Sequence, residues 1–324
     1  MAHSLQSNFK IYQEYFDAGF VEVLQQNGAA FNGASQGAIQ LRQEILKGNF
    51  AYDSFFDVVS GLVARRDTTS TSAAADTPLT MDEFVSVKLD RKVGPIGVSL
   101  DAMKKKARDP REVSFILGQQ TATAVQLEQL NTALLACEAA LDNIAALEHN
   151  ASGSITTEDL IDTLAKAGDS AGGIVAWVMH SASYFALLKD QVTDAVYRAD
   201  GVSIMQGSPA TLGRIVVVTD SDALAAVDEP SSGATTWSVL GLRRGAIDVV
   251  ISETPTMVTE LVTGYENMFY RVQGEHSYNL GLKGMRYNVA SGENPNAAAV
   301  GTGSNWVKSV TSDKLLPGVI LKHV

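Results

Sequence analysis

The residues most able to do chemistry are few and scattered. Gly33-Ala34-Ser35-Gln36-Gly37 has the G-x-S-x-G spacing of a nucleophile elbow, where a serine sits on a sharp turn between a strand and a helix. That geometry needs a sheet already built ahead of the serine. Only a short, weakly patterned segment precedes Ser35, so the spacing reads as a turn between helices, and a serine hydrolase is the remote alternative. The histidines, His3, His149, His180, His276 and His323, are too far apart in sequence to form a local ligand pair, and HExxH is absent. His180 ends an apolar stretch, where a hydrogen-bonded structural histidine is expected. Asp220-Ser221-Asp222 opens like a calcium loop, but Leu224 and Ala225 stand where an oxygen ligand and a glycine belong, so a polar turn is expected. Gly281-Leu282-Lys283-Gly284 has GxxG spacing but lies in strand-rich sequence instead of between helices. Nothing here calls for a metal or another cofactor, and no enzymatic activity is expected.

Charge and composition narrow the classes further. The 324 residues carry 25 basic and 36 acidic side chains, a net charge of −11. Such a chain is repelled by nucleic acid as a whole. The one basic run, Lys104-Lys105-Lys106-Ala107-Arg108, is thin for a DNA site. Pairing with acidic groups of another subunit, or a solvated face, is the better reading. The single cysteine, Cys137, excludes an internal disulfide framework and fits a reducing compartment. No apolar run approaches the ~20 residues that span a bilayer, and the N-terminus lacks a basic-then-apolar signal pattern. Synthesis and folding in a cytoplasm are expected.

The elements that would carry these residues follow from periodicity. Residues 1–50 read as an arm, with short helices over Phe9–Gln25 and Ala38–Leu46 and neither at the centre of a core. Between strand-like segments at Phe55–Ala64 and Phe84–Val98, the polar stretch from Arg65 to Pro78 has too little to bury to offset its ordering entropy. Long loops of this kind are usually functional. Asp109-Pro110 starts a helix that runs to about Glu148. Its stripe, Leu127, Leu130, Leu134, Cys137, Leu141 and Ile144, recurs at steps of three and four and should pack on the body of the subunit. Thr157–Lys166 reads as an amphipathic helix, Ile174–Met179 as a buried strand, and Ser181 as the cap of a further helix. Strands are expected at Ile215–Val218, Trp237–Leu242 and Ile247–Ile251, through much of Val258–Val289 after Thr254-Pro255, and at Trp306–Val310 and Val319–Val324.

This order of parts resembles the tailed-bacteriophage major capsid proteins of the HK97-fold family. Gly207-Ser208-Pro209-Ala210-Thr211-Leu212-Gly213-Arg214-Ile215-Val216-Val217-Val218 is similar to a turn and strand common in the A-domain of that family. Arg244-Gly245-Ala246-Ile247 resembles the strand that follows, and Asn294-Pro295-Asn296 with Asn305-Trp306-Val307-Lys308 resembles the ending of one branch. The resemblance implies an α+β fold divided into an N-terminal arm (1–50), an E-loop hairpin (51–100), a spine helix (101–155), an A-domain (156–272) and P-domain return strands (273–324). It implies a shell subunit that assembles with itself into hexamers and pentamers around phage DNA, in the virion, with the DNA contacted weakly. It also implies a separate scaffolding protein and a portal, and allows a decoration protein. Candidate intersubunit contacts are Arg65, Arg66 and Asp76 on the hairpin and Lys104, Lys105 and Lys106 before the helix. The runner-up is an encapsulin-like compartment shell with the same fold. No lysine lies between Lys47 and Lys88, so the hairpin tip cannot supply one for the lysine crosslink some relatives make.

Overall fold

The computed structural model describes residues 32–56, 81–99, 110–197, 212–227 and 235–324, with positions 15, 16 and 18 and several between 63 and 79. Its central element is helix α1, Pro110–Asp142, with proline in the first turn, where its missing N–H costs nothing. Strands β1 (Ile39–Gln43), β2 (Phe50–Phe56), β3 (Met81–Ser99), β9 (Ile247–Val262) and β10 (Phe269–Leu282) form one sheet in the order β1-β9-β10-β3-β2. In it β1 runs parallel to β9, and the other pairs are antiparallel.

A second sheet takes β4 (Glu148–Asn150), β13 (Gly318–His323), β8 (Thr235–Arg243), β5 (Ile174–Met179) and β6 (Ile215–Val218) in that order, with β7 (Ala225–Val227) beside β8. Helices α2 (Thr157–Lys166) and α3 (Ser181–Tyr197) flank β5 in sequence. Near the C-terminus β11 (Met285–Tyr287) pairs with β12 (Trp306–Lys308), with the short α4 (Ala297–Val300) between them. Among the described residues, one buried cluster joins Leu134, Cys137 and Leu141 of α1 to Val87, Leu89 and Leu280 of the first sheet and to Trp177, Leu240 and Ile320 of the second. The helix is therefore the shared floor of both sheets.

Several expectations hold at residue level. The strands β5 and β6 and the helix α2 have the expected bounds. Thr156 and Asp159 close a capping box on α2, each side chain accepting from the other's backbone N–H. Cys137 is fully buried, and burial pushes its thiol pKa up.

Other expectations need correction. The segment read as a helix over Ala38–Leu46 is strand β1. Its apolar residues Ile39 and Leu41 fit a period of two as well as a helical turn, and parallel pairing with β9 decides the matter. Nor is the arm peripheral: Ala38 and Ile39 are buried in the main core. Helix α1 ends at Asp142, short of Glu148, and Leu127 is 51% exposed while Ala122, Val125 and Gln129 around it are buried, so Leu127 lies off the buried face. The cap of α3 is His180, whose Nδ1 accepts from the Ala182 N–H at 3.1 Å, and not Ser181. Strand β9 continues through Thr254-Pro255. Only Ile247–Ile251 of it pair with β1, so Pro255 lies where β1 no longer pairs and an edge position tolerates proline.

Position 118 shows how the arm is held. Phe16 is buried with Ala122, Val125, Met257 and Val272 in a small cluster separate from the main core. A Cβ on Gly118 would overlap the Phe16 backbone carbonyl, so only glycine lets the arm cross α1 there. Gly118→Val should eject this segment and leave the main core intact. Chymotryptic cleavage after Phe16, followed by mass spectrometry, should appear in the variant and be absent in wild type, with little change in circular dichroism.

Candidate assembly surface

Strands β2 and β3 form the hairpin, in register from Phe50 opposite Val87 to Phe56 opposite Met81. Alternation puts Val87, Val85, Glu83 and Met81 on one face, together with the cross-strand partners Phe50, Tyr52, Ser54 and Phe56. Near the body this face is core: Val87 is fully buried and Val85 nearly so. Farther out it is bare, with Tyr52 56%, Phe56 63% and Met81 62% exposed. The core-facing stripe of the sheet thus runs on past the point where its own subunit covers it. At the tip Val63 and Leu79 are also exposed. On the other face Phe55 stacks on Phe84 at 4.0 Å. A cleft of about 620 Å3 wraps this part of the hairpin, lined by Phe55, Phe84, Asp53, Arg42, Asp248 and Lys283 and also by Tyr52 and Phe56 of the first face. Arg42 spans it, bonded to Asp248 at 2.6 Å and Glu44 at 2.5 Å.

A buried polar network fixes the hairpin base to the helix. Arg91 of β3 donates to Glu128 of α1 at 2.7 Å, and the Tyr278 hydroxyl donates to the same carboxylate at 3.1 Å. Thr132 adds a third donor to Glu128 at 3.1 Å, and the Arg91 guanidinium lies 5.9 Å from the centre of the Tyr278 ring. Across the sheet, Lys88 pairs with Glu253 at 2.7 Å and Ser277 donates to Asp90 at 2.7 Å. Apart from Thr132 and Glu128, one helical turn apart, these partners are separated by tens to hundreds of residues in sequence, so spacing gave no signal for them.

His276 lies beside this network, stacked on Tyr278, with neither ring nitrogen hydrogen-bonded. Burial holds its pKa below the usual histidine range, with Glu128 opposing and Arg91 reinforcing the shift. The neutral ring is therefore the folded form. Stability from His276 is complete above the unfolded pKa of ~6.5 and is lost as pH falls from there through the folded value, at up to ~1.4 kcal/mol per pH unit. Denaturant titrations should show wild type losing stability relative to His276→Phe as pH drops below ~6.5. A difference that stays constant with pH would contradict this.

The residues singled out for chemistry have structural tasks. Ser35 is buried, with its Oγ 3.2 Å from the Ile39 carbonyl and 3.3 Å from that of Asn32. The chain around it runs helix, turn, strand, the reverse of a nucleophile elbow. It is also not the expected turn between two helices, since β1 follows. His180 caps α3, stacks on Trp237 at 4.3 Å, and has its Nε2 3.8 Å from Asp220. Ser221 caps a short turn through the Ala223 N–H, so Asp220-Ser221-Asp222 is the expected polar turn. Lys283 donates to the Arg244 carbonyl at 3.1 Å. No group of metal-ligating side chains occurs among the described residues.

The structure brings together none of the candidate contact residues. Arg65, Arg66 and Asp76 are exposed on the hairpin connection, and Lys104, Lys105 and Lys106 lie outside the described residues.

The fold is that of phage capsid chains. The chain superposes on a capsid chain of cyanophage Pam1 with a TM-score of 0.53 at 12% identity, covering 88% of each chain. For the capsid of Ralstonia phage GP4 the TM-score is 0.52 at 10% identity, covering 89% of this chain and 87% of that one. For a chain of Mycobacterium phage Adephagia it is 0.54 at 12% identity, covering 90% and 89%. No curated protein matches in sequence. No helix among the described residues is long and apolar enough to cross a membrane. Residues 8–320 match the Gp13-like family, described as "Major capsid protein 13-like". With its α+β, HK97-like fold, this chain belongs to that family and is a shell-forming major capsid protein.

Proposed function

We propose that this subunit assembles into hexamers and pentamers of an icosahedral head around phage DNA, by laying its hairpin and arm on neighbouring copies. The observation that carries this reading is the exposure of Tyr52, Phe56 and Met81 on the core-facing side of the hairpin, to either side of the Ser54–Glu83 pair. Soluble monomers rarely leave such surface uncovered, and another copy can cover it through a heterologous contact. The parts follow as residues 1–50 for the arm, 51–100 for the E-loop, 101–155 for the spine helix, 156–272 for the A-domain and 273–324 for the P-domain return. A net charge of −11 suits a lining along which packaged DNA is held weakly and without sequence preference. A scaffolding protein, a portal and, in some heads, a decoration protein complete the assembly, which proceeds in the host cytoplasm. The subunit performs no catalysis: Ser35 is turned toward backbone carbonyls and serves its turn.

Arg65, Arg66 and Asp76 are assigned to intersubunit pairing, and Lys104, Lys105 and Lys106 to a second such contact. Replacing Arg65, Arg66 and Asp76 with alanine should raise the protein concentration needed for shell formation several-fold, read by light scattering. The subunit should stay folded, since these exposed side chains support no core. An unchanged threshold would remove these residues from the interface.

A further inference from the structure

We propose that Arg243 is the docking point for a carboxylate of a second copy of this chain. The inference rests on the shell-building reading above. Arg243 ends β8, where the chain turns out of one sheet and into β9 of the other. It is only 8% exposed, yet its guanidinium meets neutral groups alone. It donates to Ser170 Oγ at 2.5 Å, its buried Nε has no partner, and its Nη1 lies over Gly173, where a Cβ would approach to 3.0 Å.

No carboxylate offsets the charge of Arg243 itself. Arg214 reaches the same turn and is spent on the carbonyls of Ala171 and Ile174, each at 3.0 Å. Asp169, the acid of that turn, is bound to Lys314 at 2.5 Å. Arg244 is exposed and lines the mouth of the cleft beside the hairpin. Among the described residues no carboxylate pairs with Arg214, Arg243 or Arg244.

A buried guanidinium without an opposite charge is costly, and such groups normally signal a missing partner. The rest of the molecule supplies the complement. At −11 net, the chain is rich in carboxylates while this corner is locally cationic. That asymmetry suits a head-to-tail contact, in which one copy's acidic surface meets another's basic corner.

The test compares wild type with Arg243→Met and Gly173→Ala. Arg243→Met should fold with a thermal midpoint equal to or above wild type, because the lost charge has no partner within the subunit. Its threshold concentration for shell formation should rise about tenfold or more, the effect of ~1.4 kcal/mol per contact. The wild-type threshold should rise with salt more steeply than the variant's. Gly173→Ala keeps the charge but displaces the guanidinium, and should raise the threshold without unfolding the subunit. If Arg243→Met does not fold, Gly173→Ala alone decides. Wild-type thresholds in the folded variants would overturn the proposal. So would inorganic phosphate raising the midpoint of unassembled wild type but not of Arg243→Met while assembly is equal, since the site would then serve a free anion. Wild type forming no shells would instead sink the shell-building reading itself.

Discussion

Shortening the connection between Phe56 and Met81 to a tight turn is expected to give a soluble, folded subunit that does not form shells. The β2–β3 ladder ends at the Phe56–Met81 pair, and none of the connection's described residues belongs to the buried core clusters. Its described residues are exposed, including Val63 and Leu79, so the subunit loses little when they go. In the assembly proposed above the same residues lie on a neighbour, so the loss repeats at every subunit. Even ~1–2 kcal/mol removed per contact is a factor of 5–30 in each association constant. Circular dichroism should match wild type while electron microscopy shows no closed particles. Normal particles from the shortened chain would show that the hairpin is not an assembly element.

Leu134→Ala is expected to destabilise the subunit by about 2–5 kcal/mol, the range for removing a large buried aliphatic side chain. Leu134 is fully buried on α1, in the cluster that joins both sheets, so the cavity would open where neither sheet can collapse alone. Leu127→Ala provides the internal contrast. At 51% exposure it should change stability by no more than ~0.5 kcal/mol. Denaturant midpoints of the two variants should therefore separate clearly, and equal losses would mean that the buried face of α1 is misassigned.

These two leucines also mark how far the sequence could be read. Both sit on one three-four repeat, yet Ala122, Val125 and Gln129 around Leu127 are buried, and periodicity alone cannot say which face of a long helix the body covers. The bodies that bury Leu134 come from strands far along the chain, so the limit is tertiary. Strand β1 is the same case: Ala38–Leu46 satisfies a helical and a strand period, and only β9 decides between them. Where local chemistry suffices, the reading was sharp. The Thr156–Asp159 capping box marks α2, and the unbroken apolar run Ile174–Met179 marks a strand buried along its length. The candidate site divides in the same way. The polar tip between strands was legible from composition, because a stretch that buries nothing must find its partners elsewhere. The exposed apolar residues of the hairpin were not, since Tyr52 and Met81 fall outside the strand-like segments expected at Phe55–Ala64 and Phe84–Val98, and only the register places them with Phe56 on the core-facing side beyond the core. Nothing in the sequence singled out Arg243, whose burial against neutral groups is set by tertiary packing.

The most direct measurement is negative-stain electron microscopy of the purified full-length chain over a range of concentrations. The account predicts closed shells of uniform curvature above a threshold concentration, with hexameric and pentameric clusters of subunits in the shell wall. A chain that stays monomeric at every concentration, with Tyr52, Phe56 and Met81 still exposed, would contradict it.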